Sequence, residues 1–346
     1  MNNLKKLWLH TVRTYLRIGM FFYFRKLMVH GLENIPKDKP VLFLANHQNA
    51  LLDALLIASK CGRFPFFLTR AAVFKRKFIS KILKSLQMLP VYRVRDGWNT
   101  IANNNAIFET CSELLFRKEA VVIFPEGSHN LARRVRPLSK GFTRIVFGTL
   151  EKYPSLDLQL VPVGLNFIEA TAYPDSTAIF FGKPIKSSDF LNKKKTEGVE
   201  QLKQEVHTRI AELTTHIDES NYTDTLKQLL ERKVDLLNPK ETNKCIKTNF
   251  KECKSKPESS VKGLRVLLKY MLILNLFIPY IIWRFWVKPK IKEQEFISTF
   301  RFALALTIVP FYLIIISSML VLLFGAITGL LYLISSLILA LLVVKV

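Results

Sequence analysis

The residues of this 346-residue chain that are best suited to chemistry are a histidine and an aspartate that follow one short apolar run. The run at 41–45 leads directly to Asn46 and His47, and Asp53 follows a few positions later. A carboxylate that binds one imidazole nitrogen fixes the tautomer and makes the other nitrogen a stronger base. His47 oriented by Asp53 could therefore take a proton from a substrate hydroxyl, with no serine or cysteine nucleophile. The alternative is a solvated loop histidine beside an aspartate that only stabilises a helix.

The elements that must position this pair are predicted to be a strand, a loop and a helix. Consecutive apolar residues predict a buried strand before Asn46, and leucines at helical spacing predict a helix after Asn49. Asn49 is a candidate N-cap, and Asp53 would then lie in the first turn, where the helix dipole favours its ionised form. The pattern thus brings His47 and Asp53 to the same junction.

A second predicted strand, at 64–70, ends in an arginine. An arginine at a strand end is well placed to bind a phosphate bidentately, and Arg70 is therefore a candidate ligand for an anionic substrate group. The alternative for Arg70 is ordinary surface charge, as it is for the basic residues that follow it.

A third candidate block follows a buried strand predicted at 120–124. Glu126, Gly127 and Ser128 occupy the loop after that strand, and ligands of open α/β sheets bind at the carboxyl ends of the strands. Gly127 would allow close approach of the backbone, and Ser128 with its amide could hold an anionic oxygen. An ordinary strand-to-helix turn is the alternative.

Strands and helices alternate through this part of the chain, which predicts an α/β fold with a mostly parallel sheet flanked by helices. A polar helix pair is predicted at 197–231. Further strands are predicted at 88–94, 158–167 and 179–184, and a further helix at 99–117.

The formal net charge is +24 and the isoelectric point is about 9.9, so an acidic partner is expected. A hydrophobic C-terminal tail favours a membrane surface and phosphorylated or CoA-type substrates. No nucleic-acid-binding motif is present, so nucleic acid is not expected as a partner.

The four cysteines have neither metal-ligand spacing nor the density of a disulfide scaffold. They predict free thiols in a reducing compartment and no metal site. No secretory signal is apparent at the N-terminus.

Three apolar stretches predict a C-terminal membrane segment at 261–346. Residues 302–324 and 326–344 are each long enough to span a bilayer, whereas 266–287 contains polar residues, has basic residues on both sides, and predicts a re-entrant or in-plane element. A third span there is the alternative.

Basic residues interleave with apolar ones at the N-terminus, which predicts an interfacial membrane helix at 1–28. An amphipathic core helix is the alternative. Residues 29–237 would form the catalytic domain, and 238–260 a polar linker.

Four sequence blocks follow one another along the chain: Asn46-His47 to Asp53, Thr69-Arg70-Ala71-Ala72-Val73-Phe74, Phe124-Pro125-Glu126-Gly127-Ser128 and Val161-Pro162-Val163-Gly164. In this order they resemble the blocks of the glycerolipid acyltransferase family, which acylates glycerol-3-phosphate and lysophosphatidic acid. The resemblance covers about residues 29–190. One departure concerns the first block, because the usual family pattern has four residues between histidine and aspartate and this chain has five, Gln48–Leu52. The turn must absorb the additional residue.

The resemblance implies direct acyl transfer in phospholipid biosynthesis, with His47 as the base, Asp53 as its partner and no cofactor beyond the co-substrate, acyl-CoA or acyl carrier protein. Glu126 is expected to orient Arg70 or a substrate hydroxyl, and the acyl groove to open toward the membrane beside the N-terminal helix. The catalytic domain of such a multi-pass membrane protein is expected on the cytoplasmic face. The residues implied to bind substrate are Asn46, Arg70, Glu126, Gly127 and Ser128, and weaker candidates for the acyl donor or its groove are Pro162 and Lys140.

Several functions remain open at this point. The five-residue spacing is similar to that of a eukaryotic branch that acylates glycerol-3-phosphate and dihydroxyacetone phosphate, which favours the first acylation step. An enzyme acting on 1-acylglycerol-3-phosphate, a lyso-phospholipid remodelling acyltransferase and a catalytically silent membrane adaptor with the same fold are the alternatives. A hydrolase is disfavoured because the chain contains no Gly-x-Ser-x-Gly motif.

Overall fold

A computed structural model of the chain describes residues 3–92, 104–191, 194–256 and 262–346. The strands are Phe24–His30 (β1), Val41–Ala45 (β2), Phe66–Arg70 (β3), Met88–Val91 (β4), Ala120–Ile123 (β5), Gln159–Phe167 (β6), Asp175–Phe181 (β7) and Ile185–Lys186 (β8). Within the described ranges these eight strands form one sheet in the order β1-β7-β6-β2-β5-β3-β4, with β8 also paired to β6. The strands from β6 to β4 run parallel, while β7 and β8 run antiparallel to β6. The predicted mostly parallel α/β fold is confirmed.

Helices cover both faces of this sheet. The first eight helices are Asn3–Phe21 (α1), Ala50–Lys60 (α2), Lys77–Ser85 (α3), Asn104–Phe116 (α4), Gly141–Lys152 (α5), Lys195–Glu212 (α6), Tyr222–Glu231 (α7) and Pro239–Lys247 (α8). Side chains of β2 alternate between two cores: Val41 and Phe43 point to the side of α2, and Leu42 and Leu44 to the side of α4, α5 and α6. All five residues of β2 are buried, as expected for a central parallel strand covered on both faces.

The C-terminal helices are Lys262–Asn275 (α9), Phe277–Ile281 (α10), Ile297–Phe324 (α11) and Ala326–Lys345 (α12). Within the described residues, Gln294–Phe324 and Ala326–Lys345 are long and apolar enough to cross a membrane, in agreement with the predicted hairpin. α9 and the helical segment that follows it are bent by 99° relative to each other, a geometry that suits a re-entrant element or a broken span. The part of the chain that the structure describes therefore has two candidate spans, or three if the bent pair is one.

The predicted N-terminal helix at 1–28 is too long. The helix ends at Phe21, and Phe24–His30 instead forms β1 at the edge of the sheet, parallel to β7. The backbone of this segment pairs with β7, and such long-range pairing overrides the local helical pattern.

The predicted polar linker at 238–260 is also wrong in its described part. Asn238 accepts a hydrogen bond from the amide of Glu241, and Pro239 occupies the first turn, so the segment starts a helix, α8. Cys245 on α8 is buried and forms a disulfide with Cys253, contrary to the prediction of four free thiols. The buried side of α8 consists of Pro239, Thr242 and Cys245. This stripe is too short to be recognised as a helical pattern in a polar sequence. Residues 257–260 lie outside the described residues.

The other elements agree with the pattern where they are described. The polar helix pair predicted at 197–231 corresponds to α6 and α7. The predicted strand at 88–94 is observed as β4, and the predicted helix at 99–117 as α4; residues 93–103 of these two predictions lie outside the described residues.

Candidate active site

The histidine and aspartate singled out in the sequence meet at the carboxyl end of β2. His47 Nδ1 lies 2.9 Å from Asp53 Oδ2, and the ring of His47 stacks on Phe124 at a centroid distance of 4.0 Å. The carboxylate of Asp53 is fully buried, while the side chain of His47 is 13% exposed. Among the described residues no hydrogen bond reaches Nε2 of His47. In the tautomer whose Nδ1–H donates a hydrogen bond to Asp53, Nε2 carries no proton and can act as a base.

Two asparagines hold the loop that carries His47. The side chain of Asn46 exchanges two hydrogen bonds with the backbone of Leu165 on β6, donating to its carbonyl at 3.0 Å and accepting from its amide at 2.7 Å. The amide of Asn49 donates to Asp53 Oδ2 at 2.7 Å, but its side chain donates to the Ala170 carbonyl and does not cap α2. The structure therefore gives both residues positioning contacts, and the sequence-based substrate role of Asn46 stays a prediction.

The loop after β5 closes around the backbone of His47. Its amide donates to Glu126 Oε1 at 3.2 Å, and its carbonyl accepts from the amide of Asn130 at 3.0 Å. Arg136 anchors the same loop: its Nε donates to Glu126 Oε2 at 2.6 Å, its Nη1 to Ser128 Oγ at 2.7 Å, and its Nη2 to the Ser128 carbonyl. Gly127 has a φ of +74°, which favours glycine at this position.

Arg136 was missed as a site residue by the sequence analysis. The arginine described in contact with Glu126 is Arg136, whereas the resemblance implied that Glu126 orients Arg70 or a substrate hydroxyl. Burial raises the pKa of Glu126, and the Arg136 cation and the His47 amide oppose that rise. The side chain of Glu126 is only 3% exposed, so an adjacent cation is needed to keep it ionised. No local pattern marks Arg136 among the basic residues of its loop.

The three remaining candidates lie in different surroundings. Arg70 is exposed at the end of β3, on the same sheet edge as the loop after β5. Lys140 is exposed at the start of α5. Pro162 is buried within β6, opposite Leu44, and its carbonyl accepts from the amide of Gly182. Arg70 thus lies on the sheet edge that carries His47, and its binding of phosphate, like the roles of Lys140 and Pro162 in the acyl groove, stays a prediction.

A second histidine reaches the site from the loop after β5. The rings of His129 and His47 lie 5.6 Å apart, and His129 Nε2 lies 3.1 Å from Glu293 Oε2 on the segment just before α11. Phe296 contacts His129 edge-on. Burial, followed by the neighbouring His47, lowers the pKa of His129. The segment that leads into α11 therefore covers one side of the site, a contact that the sequence did not indicate.

The first turn of α11 is also tied to the loop of His47. The Ala170 carbonyl accepts hydrogen bonds from Asn49 Nδ2 at 3.0 Å and from Ser298 Oγ at 2.6 Å. Phe302, one turn further along α11, is 1% exposed and belongs to the core that contains α2. The candidate membrane helix is thus part of the body that holds the site.

An apolar cavity lies between α1, α2 and β3. Its lining includes Leu55 and Ala58 of α2, the helix that carries Asp53, and Leu9 and Leu16 of α1. A cavity with such a lining suits an alkyl chain, and the acyl groove beside the N-terminal helix stays a prediction.

Comparisons with known proteins agree with the resemblance noted in the sequence. The family model described as Acyltransferase matches residues 26–166. The 1-acyl-sn-glycerol-3-phosphate acyltransferase of Bacillus subtilis is 24% identical over 197 residues, covering 55% of this chain and 89% of that protein. Glycerol-3-phosphate O-acyltransferase 2 of Saccharomyces cerevisiae is 23% identical over 195 residues, covering 52% of this chain. The chloroplastic 1-acyl-sn-glycerol-3-phosphate acyltransferase LPAT1 of Arabidopsis thaliana is 29% identical over 119 residues, covering 34% of this chain.

The chain spans only 24% of the yeast relative and 32% of the Arabidopsis relative. Among solved structures, the crystal structure of the 1-acyl-sn-glycerophosphate (LPA) acyltransferase PlsC from Thermotoga maritima matches with a TM-score of 0.42 at 20% identity. That match covers 59% of this chain and 80% of the other.

Proposed function

We propose that the protein is a membrane-bound O-acyltransferase of the glycerolipid acyltransferase family that acts on a phosphorylated glycerol acceptor. The match of the Acyltransferase family model to residues 26–166 supports this proposal. The observation that carries the proposal is the 2.9 Å contact between His47 Nδ1 and the buried Asp53, which leaves Nε2 as a base. The acyl donor is acyl-CoA or acyl carrier protein.

In the proposed reaction, Nε2 of His47 takes the proton of an acceptor hydroxyl as its oxygen attacks the thioester carbonyl carbon of the donor. The carbon–sulfur bond then breaks, and the departing thiolate receives the proton from the imidazolium. Asp53 stabilises the imidazolium that exists between these two steps. General base catalysis of this type contributes about 10²- to 10⁴-fold in rate.

The acceptor phosphate is proposed to bind Arg70. This side chain is exposed at the same sheet edge as His47, and a guanidinium can hold two phosphate oxygens in a fixed orientation. With its phosphate held by Arg70, the acceptor would place a glycerol hydroxyl near Nε2 of His47. Such positioning commonly lowers the activation barrier of a reaction by several kcal/mol.

The acyl chain is proposed to occupy the apolar cavity between α1, α2 and β3. The cavity is lined by the turns of α2 that follow Asp53, so its position supports delivery of a thioester toward His47. The contacts of Glu126 with Arg136 and the His47 amide support a role in shaping the loop.

The first test is acyl transfer by washed membranes that contain the protein or its His47→Ala variant. Labelled acyl-CoA is supplied with glycerol-3-phosphate, dihydroxyacetone phosphate, lysophosphatidic acid or a lyso-phospholipid in separate reactions. Lysophosphatidic acid formed from glycerol-3-phosphate in a His47-dependent manner would support a first-step enzyme. Phosphatidic acid formed only from the lyso-lipid would support the second step.

The matched control is His30→Ala, which removes an exposed histidine of β1 and should leave transfer unchanged. Transfer that persists in His47→Ala would remove His47 from the mechanism. If no acceptor is used with either acyl-CoA or acyl carrier protein, the enzyme proposal fails and the silent adaptor replaces it.

The membrane topology is a separate proposal. Basic residues flank the bent helical pair on both sides, which supports a cytoplasmic position for both of its ends and for the catalytic domain. The disulfide between Cys245 and Cys253 opposes this placement, because disulfides are rare in reducing compartments. The test of this topology is cleavage at 288–292 by trypsin added to the cytoplasmic side of sealed vesicles. If the segment is protected from cleavage on that side, the re-entrant arrangement is excluded.

A further inference from the structure

The surface helix α3 has an apolar face that the rest of the described protein does not cover. Leu83 of α3 packs against the main core, but Phe78 is 74% exposed and Ile82 is 40% exposed. Phe78 and Ile82 are four positions apart and therefore lie on one side of the helix. The apolar face of α3 thus continues beyond the part that anchors the helix to the protein.

The polar face of α3 is basic. Lys77, Lys81 and Lys84 lie on this short helix, and Lys75 and Arg76 precede it. The sequence has no acidic residue between Asp53 and Asp96, so no carboxylate within that stretch offsets this charge. A basic helix with an exposed apolar face is typical of segments that lie in the interface of an anionic membrane.

The position of α3 next to α1 supports the same partner. Leu4, Leu7 and Trp8 are exposed on α1 and share one face at helical spacing with Tyr15. Trp8 Nε1 donates to Ser85 Oγ at the end of α3 at 3.3 Å. The exposed apolar residues of α1 therefore lie beside the C-terminal end of α3.

α1 also contacts the candidate membrane span. The hydroxyl of Tyr15 donates to the carbonyl of Leu306 on α11, and Leu306 also lies against Gly19. α1 thus contacts α11 near its C-terminal end and α3 near its N-terminal end. A bilayer that surrounds the apolar part of α11 would meet the exposed faces of α1 and α3.

We propose that α3 docks on the membrane surface, with Phe78 and Ile82 inserted among lipid chains and its lysines bound to anionic headgroups. The proposal rests on the membrane-bound state of the proposed function. Because only residues 71–76 separate α3 from Arg70, docking would fix the height of the proposed phosphate-binding arginine above the bilayer. An anionic lipid is favoured over a protein partner by the charge of α3 and by its contact with α1, which itself packs against the candidate membrane span α11.

The test uses the full chain in lipid nanodiscs, with an environment-sensitive fluorophore on a single introduced cysteine. Selective labelling is feasible because Cys61 and Cys111 are buried and the other two cysteines are paired. Phe78→Cys reports on α3. Phe116→Cys is the matched control, an exposed aromatic position on α4 at the other face of the sheet. Leu322→Cys, 86% exposed on α11, reports on membrane insertion itself.

Quenching by nitroxide-labelled lipid chains is measured in discs of phosphatidylcholine alone and in discs that also contain phosphatidylglycerol. We expect the label at position 78 to be quenched several-fold more than the label at 116 in the anionic discs. Replacing Lys77, Lys81 and Lys84 by glutamine should reduce the quenching at 78 toward its value in neutral discs.

Three results would overturn parts of the proposal and can be told apart. Quenching at 322 with none at 78 would exclude docking of α3 while leaving the membrane-bound state intact. Equal quenching at 78 in neutral and anionic discs would exclude recognition of anionic lipid. Lack of quenching at 322 would contradict the membrane-bound state on which the proposal rests.

Discussion

His47 Nδ1 and Asp53 Oδ2 lie 2.9 Å apart although five residues separate the two side chains in sequence, one more than the usual family pattern. The turn absorbs the additional residue at Ala50, which has a φ of +41°. Asn49 completes the arrangement by donating its amide to the same oxygen of Asp53. A left-handed first residue of α2 thus lies in the turn that joins the pair.

Asp53→Asn should reduce kcat by about 10²- to 10⁴-fold with little change in KM, because a neutral amide can neither fix the tautomer nor stabilise the imidazolium. Steady-state kinetics of acyl transfer would measure this effect, and a thermal melt would show whether the fold is retained. Asp224→Asn, an exposed aspartate on α7, is the control. A variant with wild-type kcat would show that Asp53 is structural.

Ala50→Gly should raise stability by about 1 kcal/mol, since a Cβ is disfavoured at positive φ and glycine is not. Ala58→Gly in the interior of α2 should change stability in the opposite direction by about the same amount. Denaturation of both variants in detergent would test the pair. A loss of stability in Ala50→Gly would contradict the assignment of strain to this turn.

Arg136→Gln should destabilise the protein by about 3 to 5 kcal/mol, because it leaves the buried Glu126 without its cationic partner. Activity should fall as well, since Glu126 also holds the amide of His47. The control is Arg134→Gln, whose partner Glu219 is 80% exposed and whose pair should contribute little. Equal stability of the two variants would refute a structural role for the Glu126–Arg136 pair.

Asp175 should make stability depend on pH. Burial raises the pKa of Asp175 to about 7, well above its usual 3.8, and the hydrogen bonds from the amides of Glu169 and Ser176 oppose the rise only in part. The folded state therefore holds a proton that the unfolded state has already lost, so stability should decrease as pH rises from about 4 to 7, by at most about 4 kcal/mol.

Asp175→Asn removes this titration. Its melting temperature should exceed that of the wild type at pH 7.5, and the difference should shrink as the pH is lowered to 4. Asp157→Asn, at a position 54% exposed, is the comparison variant and should not reproduce this trend. Parallel profiles for wild type and Asp175→Asn would rule out a raised pKa at this position.

The segment around His47 could be predicted from sequence because its signals are local. The buried run of β2 and the leucines of α2 each have the periodicity of their own element, and Asp53 falls in the first turn of α2. Arg70 was likewise placed correctly at a strand end. Asn49 occupies the predicted N-cap position of α2, but its side chain binds the distant Ala170 carbonyl and makes no capping hydrogen bond.

The amino-acid sequence by itself determined the α/β fold, the pairing of His47 with Asp53 and the apolar helices at the C-terminus, because these depend on spacing within one or two adjacent elements. Only the tertiary structure decided that Arg136 anchors Glu126 and that Glu293 contacts His129. It also decided that Phe24–His30 is a strand. Such contacts join segments far apart in sequence, and their energies depend on burial and on partners that no local pattern encodes.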